Sequence, residues 1–196
     1  MERAPEPSDA RTHARLAAEC FNACWDLIEK PDRSAEDDEA MLLQAYASLW
    51  HWTRRPDFTP AKRAIGHWQI ARVNSLMGRG QAALEHARLA LEAARDVNAI
   101  TATAIAADMP PAATDTIPAG SRPDAPPRSR DDDEPAYLLG YAHEAMARAY
   151  ALLGDDERAE FHRAEAWLLA DEVVDDASRE RLLADLASLR EGREPA

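Results

Sequence analysis

The chain has 196 residues, with 36 acidic against 23 basic side chains and a formal net charge of -13. That surplus of negative charge repels phosphate backbones and anionic lipid surfaces, so neither nucleic acid nor a membrane is the expected partner. No stretch of about 18 apolar residues is present, which argues against a membrane-spanning helix. The polar, proline-bearing start, Met1 to Ala10, has no apolar signal core, so the expected location is cytoplasmic.

Read in chain order, apolar spacing and stop signals predict about seven helices and no strand. After a disordered tail at 1–9, the first helix runs from about Ala10 to Glu29. It is capped by Asp9 and stopped by Pro31, and Leu16, Cys20, Cys24 and Leu27 form its stripe. Cys20 and Cys24 lie one turn apart and read as small apolar groups, not as a disulfide or half of a thiolate metal site. The second helix, about Ala35 to Arg54, opens on a capping-box pattern of Ser34 and Asp37. Met41, Leu42, Ala45, Leu49 and Trp52 form its apolar face. The third starts at Thr59-Pro60 and ends at Gly78. The fourth runs from about Gln81 to Arg95, with Ala83, Leu84, Ala87, Ala90 and Leu91 inward. Pro135 to Leu153, a helix under Asp155, and about Ala177 to Arg190 complete the set.

Between the fourth and fifth helices, 98–134 is rich in proline and carries the acid run Asp131-Asp132-Asp133-Glu134. That composition cannot pack a core and predicts a disordered insertion, although 99–107 could instead prolong the fourth helix. The two sides of the insertion are copies of each other. Shifted by 76 residues, His67, Ala71, Arg72, Leu76, Gly78, Ala83, His86 and Ala90 fall on His143, Ala147, Arg148, Leu152, Gly154, Ala159, His162 and Ala166. A repeated unit of this kind buries its apolar face by stacking on its neighbour. The organisation expected is one domain, with 10–97 holding a helical pair and the first repeated hairpin, and 135–190 holding the second hairpin and a capping helix.

The pattern of a ring, Ala, a closing Gly, then two Ala in the next helix resembles the tetratricopeptide repeat. Asn74 in place of a tyrosine, and Ala87 and Arg163 in place of an aromatic, depart from it. Segments such as Gly66-His67-Trp68-Gln69-Ile70-Ala71-Arg72 and Tyr141-Ala142-His143-Glu144-Ala145 are similar to a group of small bacterial tetratricopeptide-like proteins of no assigned activity. That group is expected to carry Arg-Gly-Glu-Trp where this chain has Ile65-Gly66-His67-Trp68. The resemblance implies an all-α solenoid of stacked antiparallel hairpins whose first helices line a groove for a peptide. It places Trp68, Arg72 and Ser75 on that groove, with Glu144, Arg148 and Ala151 at the equivalent sites.

Arginines at two equivalent positions offer forked donors to a carboxylate. The plainer alternative is an arginine engaged by its own neighbour, as Glu144 and Arg148 are spaced four apart. The histidines present a second possibility. His51, His67, His86, His143 and His162 could converge, and two imidazoles with Glu144 suit zinc or another divalent ion. Their recurrence is more simply a packing solution, because no short ligand spacing links them. The expectation is therefore a non-enzymatic protein- or peptide-binding module without a cofactor. The alternative is a small-ligand or metal site among His51, His67, His143 and Glu144, and a third reading is a homodimer of short repeats.

Overall fold

The computed structural model of the chain describes residues 7–106 and 135–191. Seven α-helices and no strand occur among them: α1 (Pro7–Ile28), α2 (Ala35–Thr53), α3 (Pro60–Leu76), α4 (Gly80–Ala106), α5 (Pro135–Leu152), α6 (Asp156–Ala170) and α7 (Asp176–Glu191). No helix among them is long and apolar enough to cross a membrane. The all-α expectation is met. Two boundaries differ: α1 already starts at Pro7, putting Asp9 inside its first turn, and α4 runs on to Ala106. Of the two readings of the stretch after Arg95, continuation of the fourth helix is the one observed. The remaining part of the expected insertion, 107–134, lies outside the described residues.

The helix starts are set by local chemistry. Ser34 and Asp37 form the reciprocal capping box of α2. Thr59 caps α3 with Pro60 behind it, and Asp155 accepts the Arg158 N–H at the start of α6. Each cap satisfies a donor that the first helical turn leaves without a partner. The bends after α3 and α5 are alike. Gly78 and Gly154 take φ of 69° and 73°. Arg79 N–H donates to Asn74 O at 2.8 Å and Asp155 N–H to Tyr150 O at 3.0 Å, both reaching back five residues to close the last turn. The repeat is thus visible in the backbone: two equivalent bends, each joining a helix to the partner it packs on.

Helices α1 and α2, α3 and α4, and α5 and α6 pack pairwise; α5 also meets α3, α4 and α7. Its residues 137–147 are buried apart from Leu139. Alanine lets the helices approach closely: Ala83, Ala87, Ala90 and Ala94 of α4 and Ala142, Ala145 and Ala149 of α5 are all in the core. At Gly140 the approach is closer still, since an added Cβ would lie 2.6 Å from Cδ2 of Leu182 on α7.

A chain of rings binds the three pairs together. Trp52 stacks on Phe21 at 5.6 Å, Phe21 meets Trp25 at 6.4 Å, Trp25 meets Trp68 at 5.8 Å and Trp68 meets Tyr141 at 4.9 Å. Each such contact adds about 0.5–1.5 kcal/mol beyond the area it buries. On α1 this moves the inner face one residue from the predicted stripe: Ala17, Phe21, Cys24 and Trp25 are buried, while Cys20 is half-buried.

Candidate functional site

On α3, Trp68, Arg72 and Ser75 follow one another on one helix face, and Glu144, Arg148 and Ala151 do the same on α5. Because α3 packs beside α5, the two faces meet. Glu144 is fully buried. Its Oε1 accepts from Arg72 Nη1 at 3.1 Å and from Arg148 Nε, and its Oε2 accepts from Trp68 Nε1 at 3.4 Å. The structure therefore brings together Trp68, Arg72, Glu144 and Arg148. It does so in the plainer of the two ways foreseen, with the arginines engaged by a carboxylate of the chain itself.

A second carboxylate completes the group. Asp185 of α7 accepts from Arg72 Nη2 at 3.0 Å and from Arg148 Nη2 at 3.5 Å. Arg148 Nη2 also donates to the Asp185 carbonyl at 3.2 Å and to Ser188 Oγ at 3.0 Å. Two guanidinium and two carboxylate groups cancel in formal charge. Burial opposes the Arg72 cation, yet Glu144 and Asp185 outweigh it and hold the guanidinium charged. Burial and the nearby Glu144 raise Asp185 against the pull of the arginines.

Sequence reasoning missed Asp185 and Ser188. A signal was present: Asp185 stands one turn from Leu182 and next to Leu186, both fully buried. An acid on the inner stripe of a helix needs a buried partner.

Beside this quartet, Arg72, Ser75, Leu76, Arg148, Ala151, Leu152, Ser188 and Leu189 line a cleft of about 270 Å³. Its lining is part polar and part aliphatic. Ser75 Oγ and Arg72 Nε are buried without a hydrogen-bond partner. A neighbouring cleft of about 310 Å³ shares Ala151 and Leu189 and continues past Ala159 and Arg163.

The histidines do not converge on Glu144. His67 Nδ1 lies 3.0 Å from His86 Nδ1, His143 Nδ1 lies 3.1 Å from His162 Nδ1, and His51 Nδ1 lies 2.7 Å from His13 Nδ1. Each imidazole thus takes its partner from its own helical pair, and Glu144 is consumed by arginines. No group of three or more His, Cys, Asp or Glu among the described residues is placed to hold a metal ion. The alternative set of His51, His67, His143 and Glu144 is therefore not assembled.

Burial, the facing imidazole and Arg63 bring His67 down to about 4. Burial, His162 and Arg95 do the same for His143. Of the rings beside His51, Trp52 is in the core and Trp50 is exposed. Cys20 and Cys24 are free thiols, and burial pushes Cys24 up to about 12, which makes it a poor nucleophile.

Compared with known proteins, the chain matches no family model, no curated protein and no solved structure.

Proposed function

We propose that the chain is a non-enzymatic interaction module of tetratricopeptide-like build, and that it binds the end of an acidic protein segment in the cleft between α3, α5 and α7. The observation that carries this reading is the cleft of about 270 Å³ itself, lined by Arg72, Ser75, Arg148 and Ser188. Forked guanidinium donors and a hydroxyl suit a carboxylate. Leu76, Leu152 and Leu189 offer an aliphatic contact in the same cleft.

Size narrows the ligand. Pockets for cofactors and drug-sized molecules span about 300–1,000 Å³, and this cleft falls just below that range. It suits one carboxylate and one aliphatic side chain, such as a segment's last two residues.

The test is calorimetric titration of the full chain with short peptides that end in an acid and a leucine, as free carboxylates and as C-terminal amides. Micromolar binding is expected for the free acids, with a loss of about tenfold on amidation and again in Arg148→Ala. Equal affinity of both peptide sets, or no binding by either, refutes the reading.

A further inference from the structure

The chain has six histidines, and all six are used in three pairs. Each pair joins the two helices of one helical pair: His13 to His51 across α1 and α2, His67 to His86 across α3 and α4, and His143 to His162 across α5 and α6. In each the two Nδ1 atoms face each other, with ring centroids 5.0, 5.2 and 5.0 Å apart. Packing alone would fill these positions with any apolar ring. It does not require that every histidine find another histidine, nor that the same ring atoms meet each time.

The spacing is that of an N–H···N hydrogen bond and equally that of two ligands on one metal ion. A metal–imidazole bond is about 2.0–2.1 Å long, so two ligands at a right angle sit about 2.9 Å apart and two at the tetrahedral angle about 3.3–3.4 Å apart. The observed separations of 2.7, 3.0 and 3.1 Å bracket the right-angle value. Right-angle geometry belongs to tetragonal ions, copper(II) and nickel(II), more than to zinc.

The His67–His86 pair also has an outer partner. Tyr46 OH lies 2.9 Å from His86 Nε2. With Nε2–H donating to the Tyr46 hydroxyl, the ring is fixed and the Nδ1 lone pair faces His67, the arrangement usual around ligating histidines. Charge ranks the second pair above the third. Arg95 acts on both rings of the third pair, whereas Glu85 stands near His86 and offsets Arg63.

We propose that the His67–His86 pair, and by repetition the His13–His51 and His143–His162 pairs, is a two-imidazole site for a divalent tetragonal ion that clamps the two helices of a hairpin. Water completes the coordination, since no third protein ligand among the described residues joins any pair. This site is separate from the arginine-lined cleft, and neither proposal depends on the other.

The experiment titrates the full chain, free of any affinity tag, with copper(II) and follows it by calorimetry and electron paramagnetic resonance. Up to three ions per chain are expected, with micromolar affinity and a tetragonal spectrum showing two nitrogen donors. His67→Gln with His86→Gln should remove one ion and leave the others in place. His143→Gln with His162→Gln should remove a weaker one. Each variant is checked by circular dichroism, and the single His86→Gln, which keeps the buried ring, serves if the double variant fails to fold. Unchanged stoichiometry in the folded variants, a spectrum without nitrogen donors, or equal uptake by the urea-unfolded chain overturns the proposal. In that case the pairs are hydrogen-bonded packing contacts only.

Discussion

Replacing Glu144 with glutamine keeps its volume and removes one of the two negative charges facing Arg72 and Arg148. Glu144 is fully buried, while the side chains of Arg72 and Arg148 are each 16% exposed and that of Asp185 is 22% exposed. Breaking a buried ion pair from one side costs about 3–5 kcal/mol. Asp185 still faces both arginines and water reaches them in part, so the low end, about 3 kcal/mol, is expected. For a chain of this size each kcal/mol moves Tm by about 2–4 °C, which places the Glu144→Gln transition about 6–12 °C below the parent. Urea denaturation followed by circular dichroism gives the free energy, and a thermal scan gives Tm.

The companion variant Asp185→Asn should cost less alone, because its carboxyl is closer to water. The double variant should lose more than the sum of the two, since only then do two cations stand without any counter-charge. A drop in Tm below about 2 °C, or additivity within about 0.5 kcal/mol, refutes the claim that these four side chains act as one unit.

Stability should also fall with acid in a defined window. In a chelator-containing buffer, His67 and His143 resist protonation in the folded chain, so the unfolded chain binds more protons between about pH 6.5 and pH 4. Folding is thus most favourable above that window and weakens on descent through it, by about 1–2 kcal/mol for each of these two rings after allowing for solvent screening. The variant with His67→Phe and His86→Phe should show a shallower pH slope in urea titrations; an unchanged slope contradicts this. Burial works against ionised Asp57, but Arg55 and Lys62 outweigh it and bring it down to about 2, so its contribution disappears only at lower pH. Gly154→Ala forces a side chain onto a backbone at φ 73° and should cost about 1–2 kcal/mol by chemical denaturation. Gly140→Ala should cost about 1–3 kcal/mol through the clash with Leu182, with α7 losing amide-exchange protection before α5 does.

Much of the fold was legible because its determinants are local. Ser34, Thr59-Pro60, Gly78 and Gly154 act through their own backbone neighbours, and the structure places each at the helix end its chemistry implies. The 76-residue repeat gave the equivalence of α3 with α5, and hence of Arg72 with Arg148. Less legible were features that depend on which helix faces which. Phe21 and Trp25 belong to the core because they meet Trp52 and Trp68 from elements distant in sequence, and helical spacing alone favoured the cysteine stripe. Asp185 entered the site through a helix read as a cap. His13 was passed over because its partner His51 is 38 positions away and no repeat links the two. The far end of α4 was ambiguous because Asn98, Thr101 and Thr103 dilute a periodic pattern that the helix nonetheless continues.

The cancelled charge beside the cleft has a kinetic consequence. Two arginines ordinarily draw an anionic ligand from a distance, but here Glu144 and Asp185 extinguish that attraction, and the chain as a whole carries -13. The acidic segment proposed as ligand would therefore approach against a repulsive field and gain its contacts only on arrival. Added electrolyte, which slows most encounters between oppositely charged proteins by shortening the reach of their attraction, should hasten the proposed one.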